Sequence, residues 1–184
     1  MLTGRALLSA LQTKVISRPH AGLHLRATPL LYAGDPLGKN RGKASPISAG
    51  RFNLVGGARV LYLGDTHQTC AAESQAVGGA SFAIAIIRVH VRLQATIDLC
   101  DPATLDALEL TATELALNFR LHRRPTPTQQ LGEACAHSGS VDGIRYASLT
   151  PAGGFCLAVL EASLRGGASL VVNDPRNKLV DQIP

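Results

Sequence analysis

Arg51, Tyr62 and Glu73 follow one another at an even step of eleven residues. Their types suit a defined chemistry. An arginine fork holds phosphate or carboxylate groups through paired hydrogen bonds. A tyrosine offers a flat stacking surface with a polar tip. A glutamate accepts hydrogen bonds from ribose hydroxyls, or stabilises positive charge developing at a sugar carbon. Each also has a plainer reading: Tyr62 as a core ring, and Glu73 as an exposed helix carboxylate or a partner for Arg51.

The elements around them can bring the three together. Residues 33–50 are rich in Gly, Pro, Lys and Ser and read as a long loop, from which Arg51 emerges. Val60-Leu61-Tyr62-Leu63 is a short β-favouring run. Asp65 or Thr66 can then cap a helix from about His67 to Val77, stopped by Gly78-Gly79. Glu73 lies on that helix, so a loop–strand–helix unit can fold the three side chains into one cleft.

The rest of the chain reads as further strands and helices. Leu23 to Arg26 alternates as a first strand. Phe82 to Leu93 is the clearest strand signal, with Ile87, Val89, Val91 and Leu93 on one face and Arg88, His90 and Arg92 on the other. Thr96 to Leu99 reads as a separate short strand. Asp101-Pro102 opens a helix expected to run to about Ala116, and Thr128 to His137 another. Ile144 to Tyr146, Phe155 to Leu160 and Leu170 to Val172 are strands, and Asn177 to Pro184 is a tail. The pattern predicts a single α+β domain over residues 21–184, with residues 1–20 as an appendage.

Composition narrows the function. Of 184 residues, 46% are hydrophobic, which supports a packed core and excludes a disordered chain. Aromatics are only 4%, which argues against rows of base-stacking rings. The net charge is +5, and its densest cations are Lys39 to Lys43 and His122 to Arg124. Such charge is either a solvated face or a surface for anions. Cys70, Cys100, Cys135 and Cys156 are dispersed without metal-ligand spacing, so buried free thiols and no metal are expected. His24, His67, His90 and His137 likewise show no ligand spacing. The longest apolar stretch, Phe82 to Ile87, is too short to span a bilayer, so a cytoplasmic protein with no membrane contact is expected.

The stretch GRFNLVGGARVLYLGDTHQTCAAES resembles the core of the RES domain family, which is named for its Arg, Glu and Ser. DGIRYASLTPAGGFCLAVLE is similar to the later family segment that bears the Ser. With Arg26, the resemblance covers roughly residues 23–175. It implies a mixed sheet with flanking helices, related to ADP-ribosyltransferases. It also implies a toxin of a type II toxin–antitoxin pair that consumes NAD at the nicotinamide–ribose bond, by hydrolysis, phosphorolysis or transfer of ADP-ribose to a protein target. An Xre-type antitoxin, usually a helical DNA-binding protein, would block the NAD pocket. Carried over by position, Arg51, Glu73 and Ser148 are the family's Arg, Glu and Ser, Tyr62 the pocket tyrosine and Arg26 the early arginine. In that role Arg26 and Arg51 hold the pyrophosphate, Tyr62 stacks on nicotinamide, Glu73 meets the ribose, and Ser148 fixes orientation. Two departures stand out: Leu25 and Ala27 flank Arg26 where an aromatic is common, and Ala147 precedes Ser148 where Pro is common. No His–Asp pattern accompanies Ser148, so a serine triad is not expected.

A competing expectation is a non-catalytic module that holds nucleic acid or an acidic protein with its basic loop. It explains the charge but not the Arg–Tyr–Glu order. A homodimer or a toxin–antitoxin hetero-oligomer is compatible with either reading.

Overall fold

The computed structural model describes residues 2–37, 49–78, 83–150, 153–174 and 179–183. The basic run Lys39 to Lys43, the helix stop at Gly79 and the strand start at Phe82 lie outside them. In chain order the elements are α1 (Gly4–Thr13), β1 (Arg18–Pro29), β2 (Val60–Gly64), α2 (His67–Gly78), β3 (Ile84–Asp98), α3 (Pro102–Leu108), α4 (Ala112–Leu115), α5 (Pro127–Ser138), β4 (Gly143–Ala147), β5 (Phe155–Leu160), β6 (Ser169–Asp174) and β7 (Leu179–Ile183).

The seven strands form one mixed sheet in the order β1-β2-β5-β4-β3-β6-β7. Only the β3–β4 pair is parallel among the described pairings. A second pairing, β1 with β3, runs from Arg18 opposite Thr96 to Pro29 opposite Ile84 and closes five strands into a ring. The alternation expected in β3 is present: Val89, Val91 and Leu93 are buried and Arg88, His90 and Arg92 exposed. Beyond Leu93 the strand does not stop as expected. It continues through Thr96 and Ile97 to Asp98, where it changes partner and runs beside β4. Ala95, Thr96 and Ile97 are then all buried, because this end is covered on both faces.

Two cores lie on opposite faces of the sheet. Leu61, Leu63, Val89, Val91, Leu157, Val159 and Leu170 form one. Ile144, Tyr146, Cys156, Ala158 and Leu160 form the other with helix residues Leu108, Leu131 and Cys135. Residues 1–20, expected as an appendage, contribute to this second core. Leu7, Ala10 and Leu11 of α1 are buried, and α1 lies against α5. Spacing of three and four residues puts those side chains on one helical face. Burial of a leucine of this kind contributes roughly 2 kcal/mol.

The single helix expected from Asp101 to Ala116 is two. Asp101 caps α3 through the Ala103 amide, but Glu109 takes a left-handed conformation (φ 50°) and ends it. Thr111 and Glu114 then form a reciprocal capping box that starts α4. The last residues, expected as a tail, carry β7, which pairs with β6 from Leu170 opposite Ile183 to Asp174 opposite Leu179.

Asp142, fully buried, locks the point where β3 passes between neighbours. Its Oδ2 accepts from the amides of Gln94 (2.7 Å) and Ala95 (3.1 Å), and Arg165 Nε stands 3.5 Å from Oδ1.

Candidate functional site

Glu73 rides on the second turn of α2. Thr66 starts that helix by accepting the Thr69 amide on its hydroxyl (3.0 Å). Thr69 in turn donates to the Gly153 carbonyl (3.2 Å), and Asp65 accepts the Phe155 amide (2.9 Å). These bonds clip the β4–β5 connection onto the start of α2. The result is a short contact between two residues 75 apart: Ser148 Oγ donates to Glu73 Oε1 at 2.6 Å. The Ser148 proton is thereby committed, so Thr150 donates in the 2.9 Å contact between their hydroxyls. Glu73 is half-buried, and its second oxygen has no hydrogen-bond partner among the described residues. The helix and the hairpin thus present one oriented carboxylate with one acceptor oxygen to spare.

Arg51 sits in a tight turn in which the Gly50 amide donates to the Asn53 carbonyl (3.1 Å). Tyr62, on β2, anchors that turn. Its hydroxyl accepts the Phe52 amide (2.8 Å) and donates to Asn53 Oδ1 (2.9 Å). Gly50 must be glycine for this approach, since a Cβ there would come within 2.5 Å of the Tyr62 hydroxyl. Arg51 itself donates from Nη1 to the Leu115 carbonyl at the end of α4 (2.7 Å). Its guanidinium carbon stands 5.9 Å from the centre of the Tyr146 ring.

Tyr146 connects the parts. It is buried on β4, two residues before Ser148, edge-on to Phe52 with ring centres 4.9 Å apart. Burial above all pushes its phenol well above the ordinary range; Cys156, Tyr62 and Glu73 push the same way, and Arg51 opposes them. One buried ring therefore lies within electrostatic reach of Arg51, Tyr62 and Glu73. Arg26 approaches from β1, donating from Nη1 to the Tyr62 carbonyl (3.4 Å). The Cys70 thiol, raised mainly by burial, is lowered by Arg26 and raised by Glu73. The Cys156 thiol is pushed up to about 12, first by burial and then by Glu73. Tyr62 is also raised, mainly by burial. The tyrosines and thiols of this neighbourhood stay protonated near neutrality, and its charged side chains include Asp65 and Glu133 beside Arg26, Arg51 and Glu73.

All five sequence-selected residues fall in this neighbourhood, with some divided labour. Ser148 is bonded to Glu73, and the Tyr62 hydroxyl is spent on the turn that carries Arg51. Tyr146 was not singled out from sequence, although it lies in the quoted stretch DGIRYAS. Gln129 and Glu133 of α5, which hold the Arg51 turn, carry no local signal of that role. The capping pattern Thr126-x-x-Gln129 was the nearest sign. Among the described residues no group of three His, Cys, Asp or Glu side chains converges as a metal site. No helix among them is long and apolar enough to cross a membrane.

Residues 18–180 match the RES domain family. The chain belongs to that family. No sequence among curated proteins matches this RES domain chain significantly. Its fold is similar to that of a chain in the crystal structure of the M. tuberculosis MbcT–MbcA toxin–antitoxin complex, with a TM-score of 0.65 at 17% identity over 98% of this chain and 92% of that one. The RES domain here is thus a mixed α+β fold with a seven-stranded sheet and flanking helices.

Proposed function

We propose that this RES domain chain is the toxin of a toxin–antitoxin pair and that it cleaves the nicotinamide–ribose bond of NAD. The observation that carries the reading is the Ser148–Glu73 contact at 2.6 Å, formed two residues along the chain from Tyr146, over whose ring Arg51 stands. NAD brings a pyrophosphate, a ribose and a cationic leaving group. Arg26 and Arg51 supply the positive charge for the first. Glu73 offers its spare oxygen to the ribose hydroxyls and stabilises the positive charge that grows on the sugar as neutral nicotinamide departs. Ser148 holds that carboxylate in place. Tyr62 fixes the turn from which Arg51 projects.

The similarity to a chain of a toxin–antitoxin complex supports an antitoxin partner, and membership of the RES family supports NAD as the substrate.

The test is incubation of the pure chain with NAD and measurement of free nicotinamide. Glu73→Gln keeps size and hydrogen-bonding shape but removes the charge. It should lower turnover by about 10²–10³, the worth of one positioned charge in a shielded site. Near-normal turnover in the folded variant counts directly against the site. Labelled NAD added to lysate reports the acceptor: transfer to protein leaves label on a discrete band, and release leaves it on small molecules.

A further inference from the structure

We infer that Gln129 and Glu133, one turn apart on α5, are positioning residues that set the Arg51 guanidinium for the anionic groups of its ligand. The inference rests on the reading of Arg51 as the holder of a dinucleotide pyrophosphate.

The turn at residues 50–58 makes few backbone bonds of its own. It is shaped by side chains instead. The Gln129 Nε2 group donates to the carbonyls of Gly50 (3.0 Å) and Asn53 (3.2 Å), which bracket Arg51 in the chain. Its Oε1 accepts the Thr126 amide (3.0 Å) in the cap of α5. Every polar group of this buried amide is therefore used, and its orientation is fixed by its partners. Glu133 lies four residues on, on the same helical face. Its carboxylate accepts the amides of Leu54 (3.0 Å) and Ala58 (3.0 and 3.2 Å).

Between the two is Gly132, where a Cβ would overlap the Phe52 carbonyl. The helix thus lies directly on the turn. Shielded backbone groups require partners, so the turn keeps this shape only while α5 provides them. Tyr62, on β2, holds the same turn through Phe52 and Asn53. Arg51 is left as the side chain that projects from a backbone clamped on two sides. Among the described residues neither Gln129 nor Glu133 hydrogen-bonds or ion-pairs with the Arg51 side chain, whose partners are the Leu115 carbonyl and the Tyr146 ring, so their hold on it passes through the backbone.

The experiment compares the full chain with Gln129→Met, Glu133→Ala, Arg51→Ala and the Gln129→Met/Arg51→Ala pair. Gln129→Met retains volume and removes both donors. The readouts are KM and kcat for NAD, the dissociation constant for ADP-ribose by titration, and the thermal midpoint. A clamp acting through Arg51 raises KM and the ADP-ribose constant about ten-fold while kcat stays within about two-fold. In the Arg51→Ala background the same substitution then changes ADP-ribose binding by less than about two-fold, because the group it positions is gone. Glu133→Ala, at a half-buried site, follows the same pattern if Gln129→Met does not fold.

Equal losses in both backgrounds, or a fall in kcat at constant KM, overturn the inference. A wild-type chain that neither binds ADP-ribose nor releases nicotinamide overturns the reading of the site instead. The clamp is then judged by hydrogen exchange: selective acceleration at the Phe52 and Leu54 amides in Gln129→Met supports it, and unchanged exchange there removes it.

Discussion

Replacing Ser148 with alanine separates two roles for its hydroxyl. The hydroxyl donates to Glu73 at 2.6 Å, within the short range of charge-assisted O–H···O bonds, and it accepts from Thr150 through both the hydroxyl (2.9 Å) and the amide (3.3 Å). A bond to a charged group contributes about 1.5–3 kcal/mol, and partial exposure puts this one at the lower end. If that energy holds the carboxylate in its reactive pose, Ser148→Ala lowers kcat about ten-fold, since about 1.4 kcal/mol is one factor of ten in rate. KM should hardly move, because the pyrophosphate contacts lie elsewhere. The decisive variant is the double substitution with Glu73→Gln. A serine that acts by orienting the carboxylate has little left to do once the charge is gone, so the pair should be no more than about two-fold slower than Glu73→Gln alone. A serine that touches the substrate independently should instead multiply the two losses. The assay is the initial rate of nicotinamide release at saturating NAD, with the thermal midpoint recorded to show that each variant is folded. Full activity in Ser148→Ala, or losses that simply multiply, would refute the orienting role.

Two further outcomes are expected of the fold. Asp142→Ala leaves the Gln94 and Ala95 amides without their acceptor, at about 1–3 kcal/mol for each shielded group; the thermal midpoint should fall by roughly 10 °C for a chain of this size, while kcat measured well below the midpoint stays unchanged. His20 and His24 meet through their Nε2 atoms at 2.8 Å, and His24 is held down to about 4, mainly by burial and next by His20, while His20 is lowered mainly by burial and next by Arg145. A histidine lowered by folding binds its proton more readily in the unfolded chain, so stability is full above about pH 6.5 and declines as pH falls towards 4. After discounting for the part of the ring left in solvent, the His24 share is about 2 kcal/mol. Denaturant midpoints measured across that window should fall for the wild type and fall less for His24→Gln; parallel profiles would remove His24 as the cause.

Legibility in the sequence followed how local the cause was. β3 could be read because one buried face and one wet face impose strict alternation, and α5 because Gly139 closes it, although its start was placed at Thr128 rather than at the Thr126 cap. The break at Glu109 was missed because an uninterrupted helical composition conceals one residue in a left-handed conformation, although Thr111-x-x-Glu114 carried the signature of a new start. β7 was missed because, among the described residues, its partner is β6 alone, and because it follows Asn173-Asp174-Pro175, residue types that favour a turn. Within the site, Arg51, Tyr62 and Glu73 were accessible as chemistry from their types alone, whereas the buried Tyr146 ring beside Arg51 was not. The pairing of Ser148 with Glu73 across 75 residues, and the bracing of residues 50–58 by α5, depend on tertiary contacts to which no spacing rule points.

The family match begins at residue 18, yet the folding unit reaches further back. Leu7 and Leu11 share a core with Leu131 and Cys135 of α5, the helix that grips the Arg51 turn, and the Leu2 amide reaches the Leu108 carbonyl at 3.2 Å. A boundary drawn where sequence kinship starts would therefore strip the cover from α5 and unsettle the arginine from behind. The stretch that carries the family signature and the packed body of the molecule are therefore different lengths of chain, and α1 belongs to the second.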